Sequence, residues 1–267
     1  MKCLLVSDLH YTLKQFDWVD RIAGQFDVVV IAGDHLDISS VVALDAQVVV
    51  VLAYLRRVLG KTKLLVSSGN HDLDARDAAD EKVARWMARV RQLGVPVDGD
   101  RLEIGDTTFT ICPWWDGPHA RDAVAAQLAR DARPRAPRWV WVYHSPPDAS
   151  PVSWTGQKYF GDADLLAWIH LHQPDMVLTG HIHQSPFRGG GSWVDRIGRT
   201  WVFNAGRQIG PVPTHVVLDT DNPRAMWFSL AGNEVVPLDR PLTRPPAALQ
   251  DTVGSGSRSD PGECSSP

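Results

Sequence analysis

Asp, Asn and His residues recur in this sequence just past short apolar runs, and their types and spacing could hold metal ions. Residues 2–7 lead into Asp8 and His10; residues 27–32 lead into Gly33, Asp34 and Asp37. Residues 63–67 lead into Gly69, Asn70, His71 and Asp72; residues 139–143 into His144; and residues 176–179 into Gly180, His181 and His183. These are oxygen and imidazole donors with no cysteine among them, which suits Mn, Fe, Zn, Co or Ni rather than a thiolate site. Asp8 and His10 lie two apart, as do His181 and His183. In extended chain each pair points to one side, so it can reach one ion or straddle two. Gly33, Gly69 and Gly180 precede donors where the chain must leave a strand sharply.

The elements that must position these residues follow from periodicity. The five apolar runs are short and rich in Val and Leu, as expected of strands buried on both faces. Helical patterns cover residues 13–22, 41–59, 78–93, 119–132 and 162–173. The second has Ser39 or Ser40 as N-cap, Arg56 and Arg57 in its last turn, and Gly60 as its stop. Strands alternating with helices predict a mostly parallel sheet, whose sites lie beyond the strand carboxyl ends. Residues 101–111 alternate around Gly105-Asp106, as a hairpin does. Residues 200–204, 214–219 and 225–230 read as strands with no helices between them. A second, mixed sheet is therefore expected, packed face to face on the first with helices outside. The Pro-, Ser- and Gly-rich residues 241–267 read as a disordered tail after a single domain over residues 1–240.

Composition bounds the function. Of 267 residues, 44% are apolar and 22% charged, ordinary for a globular protein. Lys and Arg number 27 against 31 Asp and Glu, a formal charge of −4, so the basic excess of a general nucleic-acid coat is absent. The longest apolar run, residues 48–55, is far too short to span a membrane. Three cysteines, Cys3, Cys112 and Cys264, are too few for a disulfide framework. With no signal peptide recognisable in the first residues, the expected location is cytoplasmic.

In chain order, Asp-x-His, Gly-Asp-x-x-Asp, Gly-Asn-His-Asp, a lone His and Gly-His-x-His resemble the calcineurin-like metallophosphoesterases. The resemblance covers about residues 1–235, including Phe203-Asn204-Ala205-Gly206. It departs in having His35 inside the second motif and Ala205 where Pro is usual. The expected fold is a four-layer α/β/β/α sandwich of two mixed sheets with a dinuclear metal site at the strand C-terminal ends. The resemblance implies two divalent metal ions. One would take Asp8, His10 and His183, the other Asn70, His144 and His181, with Asp34 bridging both. His71 would not be a ligand but would protonate the leaving oxygen, oriented by Asp37 or Asp72. Asp37 also reads as a helix N-cap or turn residue, and His71 as a substrate-binding His.

The implied reaction is attack of a metal-activated hydroxide on a small phosphoester. The chain is nearest in style to small bacterial phosphodiesterases acting on a cyclic nucleotide or similar diester. A phosphomonoesterase or protein phosphatase is the alternative, a nuclease comes third, and a catalytically silent binding module is the reading from another class. Trp114, Trp115, Trp154, Lys158, Tyr159 and Trp193 fall in loops near the site, where they could stack a base or simply pack. Arg188 and Arg207 could bind phosphate or lie on the surface, and His35 could touch substrate. His170 and His172 sit on a helix away from strand ends, and Arg130, Arg133, Arg135 and Arg138 read as a solvated loop.

Overall fold

Two-residue alternation along the strands decides the layering. The computed structural model describes residues 1–133 and 135–242, so nearly all of the expected tail lies outside the described residues. In chain order the first half holds β1 (Lys2–Val6), α1 (Leu13–Ile22), β2 (Val28–Ala32), α2 (Leu44–Leu59), β3 (Lys63–Ser67), β4 (Ala75–Arg76), β5 (Lys82–Val83), α3 (Met87–Gln92), β6 (Arg101–Ile104) and β7 (Thr107–Ile111). The second half holds α4 (Pro118–Asp131), β8 (Arg138–Val142), α5 (Ala163–His172), β9 (Met176–Thr179), β10 (Val194–Ile197), β11 (Thr200–Asn204), β12 (His215–Asp219), β13 (Arg224–Ser229) and β14 (Gly232–Pro237).

Cys3 and Leu5 of β1 face an inner core together with Val140 and Val142 of β8. Leu4 and Val6 face outward onto Phe16 and Val19 of α1 and Val51 and Leu55 of α2. Trp139 and Trp141 of β8 likewise face outward, onto Leu128 of α4 and Leu165 and Ile169 of α5. Three apolar clusters separated by two sheets make four layers, helix, sheet, sheet and helix.

The first sheet runs β14-β13-β12-β1-β2-β3 and the second β10-β11-β9-β8-β7-β6. β1, β2 and β3 are parallel, and β12, β13 and β14 continue from β1 as an antiparallel meander. In the second sheet β7, β8, β9 and β11 are parallel, with β6 and β10 antiparallel at the two edges. The strands expected to form one extra sheet are thus divided: β12 and β13 extend the first sheet, and the hairpin and β11 join the second. Both sheets are mixed.

Residues 78–93 do not form one helix. β5 pairs there with β4, which lies just before the span, in a small antiparallel hairpin, and only Met87–Gln92 are helical. Tertiary bonds override the local pattern, since Glu81 is turned to accept the backbone N–H groups of His119 and Ala120 at the start of α4. The helix expected from residue 41 begins at Leu44 without a side-chain cap. Ser39 instead donates to Asp37, within a turn that Gln47 ties to α2. Among the described residues no helix is long and apolar enough to cross a membrane.

Trp227 of β13 carries the inner core toward the site. It is fully buried, its ring stacks on Trp193 at 6.5 Å, and its Nε1 donates to Ala205 O at 2.9 Å. Trp227→Ala should destabilise the protein by about 3–5 kcal/mol in denaturant unfolding, and Trp227→Phe by less, because the ring volume is kept. Equal costs for the two would mean that the hydrogen bond, not the packing, dominates.

Candidate metal centre

The expected donors all leave the carboxyl ends of parallel strands, and the two sheets bring these ends together. Asp8 and His10 follow β1, Asp34 follows β2, and Asn70 and His71 follow β3. From the second sheet, His144 follows β8, and His181 and His183 follow β9. Backbone bonds fasten the exits to one another. Asp8 N donates to Gly33 O, and His10 N to Asp34 O. Across the sheets, the His181 N–H donates to the Asp8 carboxylate at 3.0–3.1 Å, and His144 Nδ1 donates to Ala32 O at 2.6 Å.

These exits are tight. Asp8, His10, Asp34 and His181 hold φ of +55°, +41°, +55° and +68°, left-handed backbone that costs a non-glycine residue on the order of 1 kcal/mol. Gly33 (φ +84°) is more constrained still, because a Cβ there would strike the His144 ring. A Cβ on Gly69 would strike Asp34 Oδ1 and sit 2.8 Å from His144 Nε2.

The result is a knot of nitrogen and oxygen donors. Asp8 and Asp34 are 0% and 1% exposed. His183 Nε2 lies 3.3 Å from Asp8 Oδ1 and 3.1 Å from His10 Nε2, and His10 Nε2 is 3.6 Å from Asp34 Oδ2. On the other side His144 Nε2 stands 3.2 Å from Asp34 Oδ2. Donor atoms of Asp8, His10, Asp34 and His183 fall within 4.8 Å of one another, and so do those of Asp34, His144 and His181. Asp34 belongs to both groups.

Residues 1–185 match the family model of calcineurin-like phosphoesterases. The chain belongs to that family. As a calcineurin-like phosphoesterase it is a hydrolase, of a family that uses divalent metals. Its fold is similar to that of TT1561 from Thermus thermophilus, at 13% identity and a TM-score of 0.55 over 89% of this chain and 98% of that one. It is also similar to the purple acid phosphatase PPD1 from yellow lupin (Lupinus luteus) seeds, at 13% identity and 0.54 over 90% of this chain and 52% of that one. No curated protein matches the chain.

The residues fit a metal on their own chemistry. Asn70 Oδ1 is buried and has no hydrogen-bond partner, which is costly unless a ligand completes it. The charges point the same way. Burial alone would raise the Asp8 carboxyl, but the bond from His183 and the charges of His144, His183 and His10 hold it well below the usual carboxylate range. Burial would lower His144, yet Asp34 and Asp8 push it up to about 9. Burial takes His10 and His181 down to about 4, with the charges of Arg207 and His183 also lowering His10 and that of His144 lowering His181.

Other expected residues are spread more widely. His71 lies beside the knot, its ring 4.4 Å from that of His10 and its backbone N–H donating to Asp34 Oδ1 at 2.8 Å. Asp37 joins it, with donor atoms of His10, Asp37 and His71 within 4.8 Å of one another, while Asp37 Oδ1 accepts from Ser39. Burial would raise Asp37, but the Ser39 bonds and the charges of His10 and His71 hold it below the usual range. Asp72 does not turn His71. Its buried carboxylate is filled by the backbone N–H groups of His35, Leu36 and Gly69 and by His35 Nδ1 at 3.0 Å, so it staples the β2 exit to the β3 exit.

The aromatic and basic residues divide in the same way. Trp193 is core, its Nε1 donating to Glu234. Trp114 stands 5.1 Å from the His181 ring. Arg130, Arg135 and Arg138 pair with Asp131, Asp175 and Asp106. His172 packs on Trp139 and Trp141.

Two positioning residues escaped sequence reasoning. Asn204 Nδ2 donates to Val152 O, Ile182 O and Ser185 Oγ, and its Oδ1 accepts from Gly206, so it locks the loop after β9 to that after β11. Asp98, its carboxyl pushed up to about 7 by burial, accepts the Ser68 N–H, and Ser68 Oγ accepts the Trp114 N–H. Asn204 could have been suspected from its place in the last motif; nothing around Asp98 marks it.

A ligating imidazole must be neutral. His144 carries a proton until about pH 9, whereas His10 and His181 have lost theirs above about pH 4. Binding of Mn²⁺ at pH 7.5 should therefore release about one proton per protein, and affinity should rise with pH until about 9 and then level. Calorimetry in buffers of different ionisation enthalpy measures this. Tight binding with no proton released would contradict the charge assigned to His144.

Proposed function

We propose that this protein hydrolyses small phosphodiesters with two divalent ions, one held by Asp8, His10 and His183, the other by Asn70, His144 and His181, and both by Asp34. The observation that carries this reading is Asp34, whose carboxylate is shared between the two groups of donors. An all-N/O donor set suits Mn, Fe, Zn, Co or Ni. Two ions sharing one carboxylate would lower the pKa of water and offset charge on the phosphoryl oxygens.

The chain's own side chains supply the rest. His71 donates a proton to the leaving oxygen. It is placed for this by its backbone bond to Asp34 and its ring contact with His10, and Asp37 sets a carboxylate against it. Arg207 holds a phosphoryl oxygen. Its Nε is buried and lacks a partner, its backbone N–H donates to His183 O at 3.0 Å, and its charge reaches His10. A phosphate oxygen is the acceptor such a guanidinium is built to take.

Charge favours a diester. Beside His181 the site opens into a cleft lined by Asp116 and Asp164. Asp164 is paired with Arg121, so the charge that matters is Asp116, near which a diester brings one negative charge and a monoester close to two. With Arg130, Arg135 and Arg138 paired to carboxylates, the reading is of a small substrate rather than a nucleic-acid duplex. The free buried thiols Cys3 and Cys112 suit the cytoplasm.

The protein should turn over bis-p-nitrophenyl phosphate with Mn²⁺, lose that activity in excess chelator and regain it on adding the metal back. His71→Ala should slow an alkyl or ribose diester by about 10²–10⁴, and a p-nitrophenyl diester much less, because nitrophenolate leaves without help. Arg207→Ala should slow both by a similar factor, about tenfold or more. Full activity in chelator would end the metal reading. Equal losses for His71→Ala on both esters would end its role as acid.

A further inference from the structure

The cleft holds about 450 Å³ and meets the donor cluster at His181, which is part of its lining. Its walls are aromatic. Phe160 stacks on the His181 ring at 5.9 Å and 28°, and Trp114 approaches the same ring at 5.1 Å. Phe160 is 53% exposed, a large apolar ring left facing water at the edge of a polar site. Its position is fixed, because Phe160 N donates to Ser153 O, the turn before it closes through Thr155 and Lys158, and Lys158 Nζ lies 5.5 Å from the ring centre. The inner end is also fixed. Asp162 accepts from Tyr143 OH and from Trp115 Nε1, and its other oxygen caps α5.

We propose that this cleft is a specificity subsite for a flat aromatic ester group, a nucleobase or an aryl ring, on the substrate whose phosphoryl group sits at the donor cluster. Three observations meet here. The cleft is the size of one such group with its sugar or spacer. Aromatic faces converge on His181, and stacking is the interaction they offer. The rim carboxylate Asp116, which accepts the Lys82 backbone N–H, disfavours a second phosphate, whereas Asp164 is paired with Arg121 at 3.9 Å. The subsite therefore takes an uncharged ring on a single phosphate rather than a polyphosphate. The proposal deepens the phosphodiesterase reading and rests on it for the identity of the attached group.

The test uses the full chain loaded with Mn²⁺ and three diesters that share p-nitrophenol as leaving group: adenosine 5′-(p-nitrophenyl phosphate), phenyl p-nitrophenyl phosphate and methyl p-nitrophenyl phosphate. With the leaving group constant, kcat/KM ratios report the second ester group alone. The adenosyl or phenyl ester should be preferred to the methyl ester, and Phe160→Ala should cut that preference about tenfold. Phe160→Tyr, which keeps the ring, should retain it. A preference for adenosyl over phenyl identifies a nucleobase site; the two ranking together identifies a general aryl site. No preference for either ring over methyl, or a preference untouched by Phe160→Ala, would overturn the subsite while leaving the hydrolase reading intact. Calorimetric binding of adenosine to wild type and Phe160→Ala gives a readout without turnover. If no diester is cleaved yet adenosine binds and the variant loses that binding, the diesterase reading fails and the subsite stands.

Discussion

Two buried carboxylates set the terms for this protein. Asp8 and Asp34 are withdrawn from water at the ends of adjacent parallel strands, with imidazoles of four histidines around them. Buried charge of this density is stable only when paired. The protein supplies part of the pairing itself, through the raised His144 and the backbone N–H groups of His181 and His71. The remaining demand, written in the partnerless Asn70 Oδ1, is for cations.

The fold is arranged to meet that constraint. Each sheet contributes donors only from parallel strand ends, and the inner core fixes the distance between the sheets. The exits adopt left-handed backbone at four donors because the carboxylates and imidazoles must turn inward at once. That local cost is offset by long-range hydrogen bonds. Asp72 clamps two exits in the first sheet, Asn204 clamps two in the second, and His144 Nδ1 crosses between sheets. Residues that look catalytic by type thus serve partly as fasteners for those that reach the reacting centre.

Much of this was legible in the sequence, for a physical reason. Strands buried on both faces leave continuous apolar runs, and parallel strands end at the site, so every donor stands just past such a run. The division of the later strands was not legible, because strand periodicity does not name a partner: β12 pairs with β1 from more than two hundred residues away. Residues 78–93 misled because local helical spacing there yields to Glu81 reaching α4. Asp72 and Asp37 could not be told apart by spacing. Only the folded chain shows that Asp72 is filled by backbone donors while Asp37 faces His71. The same holds for the tryptophans, where Trp193 joins the core and Trp114 stands at the cleft.

The most direct test of the central claim is anomalous diffraction from crystals of the protein grown with Mn²⁺. The account predicts two peaks about 3.5–4 Å apart, one among Asp8, His10 and His183 and one among Asn70, His144 and His181, with Asp34 touching both. A single fully occupied peak in crystals of active protein, or two peaks that Asp34 does not join, would contradict it.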